Sequence, residues 1–123
     1  MASRTNIAPW LLVHDAAVAL DFYKAAFAAV ERYRLEDDAG GVMVAQLAIG
    51  GADFWVQHDP DARQLADGGP IRLIMTIENP DGVFKQAIAA GATAIAEVHE
   101  EHGWRTGRIA DPFGHHWELA RVL

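Results

Sequence analysis

The stretch Gly107-Arg108-Ile109-Ala110-Asp111-Pro112-Phe113-Gly114-His115-His116-Trp117 decides how this chain is read. Trp104 to Ala110 reads as a strand that runs into Asp111-Pro112-Phe113-Gly114, a turn cluster. Proline presets φ there and glycine supplies a conformation that other residues avoid. His115 to Val122 then reads as the closing strand. Side chains alternate along a strand, so His116, Glu118 and Ala120 share one face and Trp117 and Leu119 the other.

Working back from this ending, Pro70 opens a second half with a fixed order of elements. Ile71 to Ile77 is a strand of branched residues. Asn79-Pro80 supplies a cap and a first-turn proline, and Val83, Phe84, Ala87 and Ile88 form a helical stripe that stops at Gly91. Thr93 to His99 is a strand, and Glu100 to Gly103 a polar loop before Trp104. The first half repeats the layout. Ile7 to Val13 is a buried strand, and Asp15 caps a helix from Ala16 to Phe27. Val30 to Arg34, Val42 to Ile49 and Asp53 to Gln57 are strands, separated by Asp37 to Gly41 and by Gly50-Gly51. The offset between the halves is about 64 positions, pairing Val13 with Ile77 and Leu20 with Phe84. The fold class is therefore α+β, with two βαβββ modules in one domain of residues 1–123. Module 1 covers about 5–58, an aspartate-rich linker 59–69, and module 2 about 70–123.

Composition narrows the function classes. A net charge of −7 argues against nucleic acid as partner, which needs a basic face, and mildly favours cationic ligands. There is no cysteine, which removes disulfides and thiolate chemistry. No apolar run has the length of a membrane span, and Met1 to Asn6 has no secretory h-region, so the expected location is the cytoplasm. Ser3 stands near the N-terminus and no nucleophile constellation forms around it. The glycine pairs mark turns, not a phosphate loop.

The local motifs resemble the vicinal-oxygen-chelate superfamily, the glyoxalase, bleomycin-resistance and extradiol dioxygenase group. Val13, Asp15, Ala19, Phe22 and Tyr23 match its opening "V-x-D-x-x-x-A-x-x-F-Y". Ala89-Ala90-Gly91-Ala92 matches its frequent helix end, and Gly107 with Asp111 to Trp117 its closing "G-x-x-x-D-P-F-G-H-x-W". The ending is most similar to the PhnB-like branch, although His102-Gly103-Trp104 reverses the usual Trp-Gly order. The resemblance implies an open, cup-shaped mixed sheet with helices outside, and a homodimer that completes the cup.

It also implies where a metal would sit. The four matching ligand positions are Ala8, Trp55, Arg72 and Glu118, and only Glu118 can ligate a divalent cation. Arg72 and Glu118 could pair across the cup and fill the space of a metal, either satisfying each other or orienting a polar ligand. Trp10 and Trp55 point into it by parity, and Trp104 begins one of its strands, which suits stacking on a planar or cationic ligand. His116 shares the face of Glu118, and these two are the candidates for acid–base catalysis. His14, His58, His99 and His102 lie at element ends or in loops. The expectation is a protein that binds a small molecule through Trp10, Trp55, Arg72, Trp104, His116 and Glu118 with no metal cofactor. The alternative is a metal-dependent lyase, isomerase or dioxygenase. A third possibility, a metal-free enzyme, would depend on Glu118.

Overall fold

In a computed structural model, residues 5–123 are described, so Ser3 lies outside them. The first module runs β1 (Trp10–Val13), α1 (Ala16–Phe27), β2 (Val30–Glu36), β3 (Val42–Ile49) and β4 (Ala52–His58). A short 3₁₀ turn, Ala66–Gly68, falls within the linker. The second module runs β5 (Leu73–Thr76), α2 (Pro80–Ala90), β6 (Thr93–Glu101), β7 (Trp104–Ala110) and β8 (His116–Val122). Each module makes its own four-stranded mixed sheet, ordered β1-β4-β3-β2 and β5-β8-β7-β6. In both, the first strand lies parallel to the last and the others are antiparallel. The doubled layout read from the sequence is present in full.

The helices form where caps and stripes agree. Asp15 Oδ1 accepts from the Val18 amide at 3.2 Å, satisfying one of the orphan donors of the first turn. Asn79 does the same for Gly82 at 3.1 Å, with Pro80 following it in the first turn. One stripe of α1, including Ala19, Leu20, Phe22, Tyr23, Ala26 and Phe27, is buried. In α2 the buried positions are Pro80, Phe84 and Ala87. Burial of a leucine-sized side chain stabilises by about 1.5–3 kcal/mol, and Leu20, Leu47 and Leu119 are each at most 2 % exposed.

The two helices pack on one another, and Gln86 Nε2 of α2 donates to the Ala25 carbonyl of α1 at 2.7 Å. Between the sheets, Tyr23 touches Phe54 of β4 at 5.3 Å and Trp117 of β8 at 5.7 Å, ring centre to ring centre. Phe54 and Trp117 also meet, at 5.4 Å. The helix-side faces of both sheets therefore share one core, and each sheet keeps its other face open. Because strand neighbours point to opposite faces, each sheet's open face lies opposite its helix-covered one.

The Asp111 turn has a physical basis in this core. Asp111 is 4 % exposed. Its Oδ1 accepts from the amides of Phe113 and His115, at 2.9 and 3.0 Å. Its Oδ2 accepts from Tyr23 Oη at 2.6 Å and Trp117 Nε1 at 2.9 Å. Four donors compensate a carboxylate that has lost its water. Gly114 closes the turn at φ +94°, where a Cβ would stand 2.8 Å from Gln64.

Strand ends differ from the sequence reading in two informative places. β1 begins at Trp10 rather than Ile7, and Ile7 is 93 % exposed. β6 continues through Glu100 and Glu101, which were expected in a loop. The turn is only His102-Gly103, both with positive φ (51° and 83°). Two such residues match the right-handed twist of a hairpin, so the strands extend up to them.

Candidate functional site

The open face of the first sheet is aromatic. Across it, Trp10, Trp55, Gln46 and Tyr33 stand in register on four adjacent strands. Trp10 and Trp55 stack at 5.6 Å with planes 21° apart, and Tyr33 meets Trp55 edge-on at 6.2 Å. Trp10 Nε1 donates to Gln57 Oε1 at 2.8 Å, which fixes the indole against the sheet. Trp10 is still 50 % exposed, and Leu12, Tyr33 and Leu35 are exposed beside it. Large apolar side chains are thus exposed on both edge strands of this face, with Gln46 and Gln57 between them.

The open face of the second sheet is polar. A hollow of about 350 Å³ lies over it, lined by Arg72, Ile74, Glu101, His102, Trp104, Thr106 and Glu118. Arg72 and Glu118 do pair, at 3.4 Å. They do so within the second module, Arg72 just before β5 and Glu118 on the neighbouring β8, not across two modules. The contact is single and Arg72 is half exposed, so the pair is weak and open to a ligand. Glu118 faces Arg108 across the β7–β8 pair. Arg108 Nε and Thr106 Oγ1 are buried without partners among the described residues. His99 lies 3.4 Å from Glu101. Its imidazole is held above its ordinary pKa, first by the Glu97 carbonyl and then by Glu101.

The six residues expected to line one cup thus fall into three groups. Arg72, Trp104 and Glu118 share the hollow of the second sheet, and Trp10 and Trp55 share the open face of the first. His116 parts from Glu118 although both are on β8. It is 8 % exposed and lines a seam beside Trp10. Trp117 is core, as its parity required. Glu101, His102, Thr106, Arg108 and Tyr33 were missed by sequence reasoning. The His102-Gly103 turn was the signal for Glu101 and His102, because it places both beside Trp104 at the end of a hairpin.

The donor set does not fit the metal that the superfamily resemblance implies. Ala8 offers no donor, Trp55 is stacked on Trp10, and Arg72 holds its cation beside the one carboxylate, Glu118. Zinc takes four N, O or S ligands and the hard cations more. Among the described residues, no three His, Asp or Glu side chains converge.

The glyoxalase-like domain model matches residues 10–120. The chain belongs to the glyoxalase-like domain family. An uncharacterised protein of Mycobacterium bovis is 37 % identical to it over 128 residues, covering 95 % of this chain and 83 % of that protein. Among solved structures, TioX from Micromonospora sp. ML1 superposes with a TM-score of 0.78 at 25 % identity, covering 98 % of this chain and all of that one. A PhnB protein from Bacillus cereus shares the fold, with a TM-score of 0.75 at 19 % identity over 96 % of this chain and all of that one. The glyoxalase-like assignment agrees with the doubled βαβββ layout and with the Asp111 ending. No helix among the described residues is long and apolar enough to cross a membrane.

Proposed function

We propose that this glyoxalase-like domain binds a planar, cationic small molecule without a metal, in a cup made by two subunits. The stacked and exposed Trp10–Trp55 pair carries the reading. An open indole face attracts flat ligands, and cations more strongly still. In one subunit this face supplies a stacking platform. The hollow of the second sheet, from the partner subunit, closes over it. Its lining holds two carboxylates, Glu101 and Glu118, and one guanidinium, Arg72, with Arg108 opposite Glu118 on the neighbouring strand, so acceptors and donors both face the ligand. The net charge of −7 favours a cationic ligand at long range. The exposed aromatic face of the first sheet gives each subunit a reason to seek the other.

The test is a tryptophan fluorescence titration with proflavine, a planar cation, and with a neutral ring system of the same size. Saturable quenching by the cation is expected, weakened about tenfold or more in Trp55→Ala, as for loss of an aromatic platform worth 1.4 kcal/mol or more. Unchanged affinity in Trp55→Ala, with the fold intact by circular dichroism, sinks the reading.

A further inference from the structure

A second hollow, of about 220 Å³, lies in the seam where the free edge of β1 approaches β5 and the start of β8. It lies apart from the open faces discussed above and shares only Trp10 with them. Most of its wall is apolar, with Pro9, Leu11, Pro70, Ile71 and Leu73 beside Trp10. Two imidazoles complete it. His115 is committed, since its Nε2 bonds the Leu12 carbonyl at 2.8 Å. His116 is not. Its side chain is 8 % exposed and its Nδ1 is buried with no hydrogen-bond partner among the described residues.

The linker holds that imidazole in the wall. A Cβ at Gly68 would stand 2.7 Å from the His116 ring, and Gly68 has φ +77°, so backbone lies directly against the ring. A buried polar atom without a partner is costly; the His116 ring lines the hollow, and a small turn of the imidazole brings a ring nitrogen to a hydrogen-bonding guest and removes that cost. No carboxylate, lysine or arginine lines the seam, so the guest is neutral. The volume suits about seven waters or one substituted ring.

We propose that the seam is a second binding site, for a neutral ring-sized apolar molecule whose one hydrogen-bonding group pairs with His116. A guest there touches Trp10, whose indole is stacked on Trp55. Occupancy of the seam therefore adjusts the aromatic platform of the open face.

Phenol is the probe, with toluene as the partner lacking a hydroxyl, added to the full chain labelled with ¹⁵N. Phenol is expected to shift the His116 ring nitrogens and the Trp10 indole N–H saturably. His116→Phe is expected to weaken phenol about tenfold and to leave toluene within about twofold, the pattern of one lost hydrogen bond. Ile71→Trp fills the seam from an exposed position and is expected to block both. The proposal is overturned if phenol gives no saturable shift at His116, or binds His116→Phe as well as the parent. Should His116→Phe fail to fold, phenol binding undiminished in Ile71→Trp overturns it alone. The planar-cation reading is tested separately by Trp55→Ala, at a residue that does not line the seam.

Discussion

Replacing Tyr23 by Phe removes one oxygen from the centre of the core and changes little else. That oxygen donates to Asp111 Oδ2 at 2.6 Å, and burial raises the Tyr23 pKa well above its ordinary 10.0, with the Asp111 charge and hydrogen bond adding to the effect. A hydrogen bond to a charged group contributes about 1.5–3 kcal/mol. Asp111 keeps its three other donors, and Phe leaves almost no cavity, so a loss of about 2 kcal/mol is expected. For a domain of this size each kcal/mol shifts the melting temperature by about 4 °C, which gives a fall of about 8 °C. Circular dichroism melts near neutral pH measure it. The same bond has an alkaline signature. A tyrosine pKa raised by folding contributes stability that is complete below the unfolded value near 10 and is lost as pH climbs toward the folded value. The advantage of the parent over Tyr23→Phe should then shrink above about pH 10, by up to 1.4 kcal/mol per pH unit. Urea midpoints across that range read it. A variant that melts within about 1 °C of the parent, with the same alkaline slope, would refute the reasoning.

Arg105 clamps Asp81 with two bonds of 2.8 Å and holds its carboxyl below the ordinary 3.8. A lowered pKa gives stability that is present above that value and lost below it. Arg105→Met should thus lower the urea midpoint at neutral pH, and the difference should vanish in acid. Gly68→Ala meets both a positive φ and the His116 ring and should cost about 1–3 kcal/mol in urea melts. Gly40→Ala, with a positive φ but open space, should cost only about 1–2 kcal/mol. Metal analysis of protein purified without chelator should find less than about a tenth of an equivalent per chain. One equivalent of nickel, zinc, manganese or iron would end the metal-free reading.

The fold was legible because two independent signals repeat. Caps at Asp15 and Asn79 each precede a helical stripe, and strands with a period of two follow both. The Asp111 ending adds a motif whose chemistry is local, a carboxylate taking its own turn's amides. Facing was also legible, since parity alone placed Trp10 and Trp55 outward and Trp117 inward. What parity cannot give is which open face meets which. That depends on the contact of α1 with α2, made by side chains such as Gln86 that carry no motif. His116 shows the same limit at the scale of one residue. It shares a face with Glu118, yet the linker covers it, and packing of a linker leaves no periodic trace.

The separation of the two open faces makes a demanding prediction about where a cup can exist. Within one chain, Tyr23, Phe54 and Trp117 occupy the space between the sheets. In the shared cup proposed above, a ligand that touches both Trp55 and Glu118 uses the first sheet of one subunit and the second sheet of another. Two-fold pairing makes two such cups per dimer, each with one face from each chain. Trp55→Ala and Glu118→Gln should each cripple both cups of their own homodimer. Mixed in equal amounts and allowed to exchange, half of the dimers are hybrids. In each hybrid one cup carries both defects and the other carries neither, so about a quarter of all cups regain binding. Proflavine titration of the mixture reads that fraction directly. A site contained in a single chain would regain nothing on mixing. That result, or a chain that stays monomeric at micromolar concentration, would overturn the shared cup.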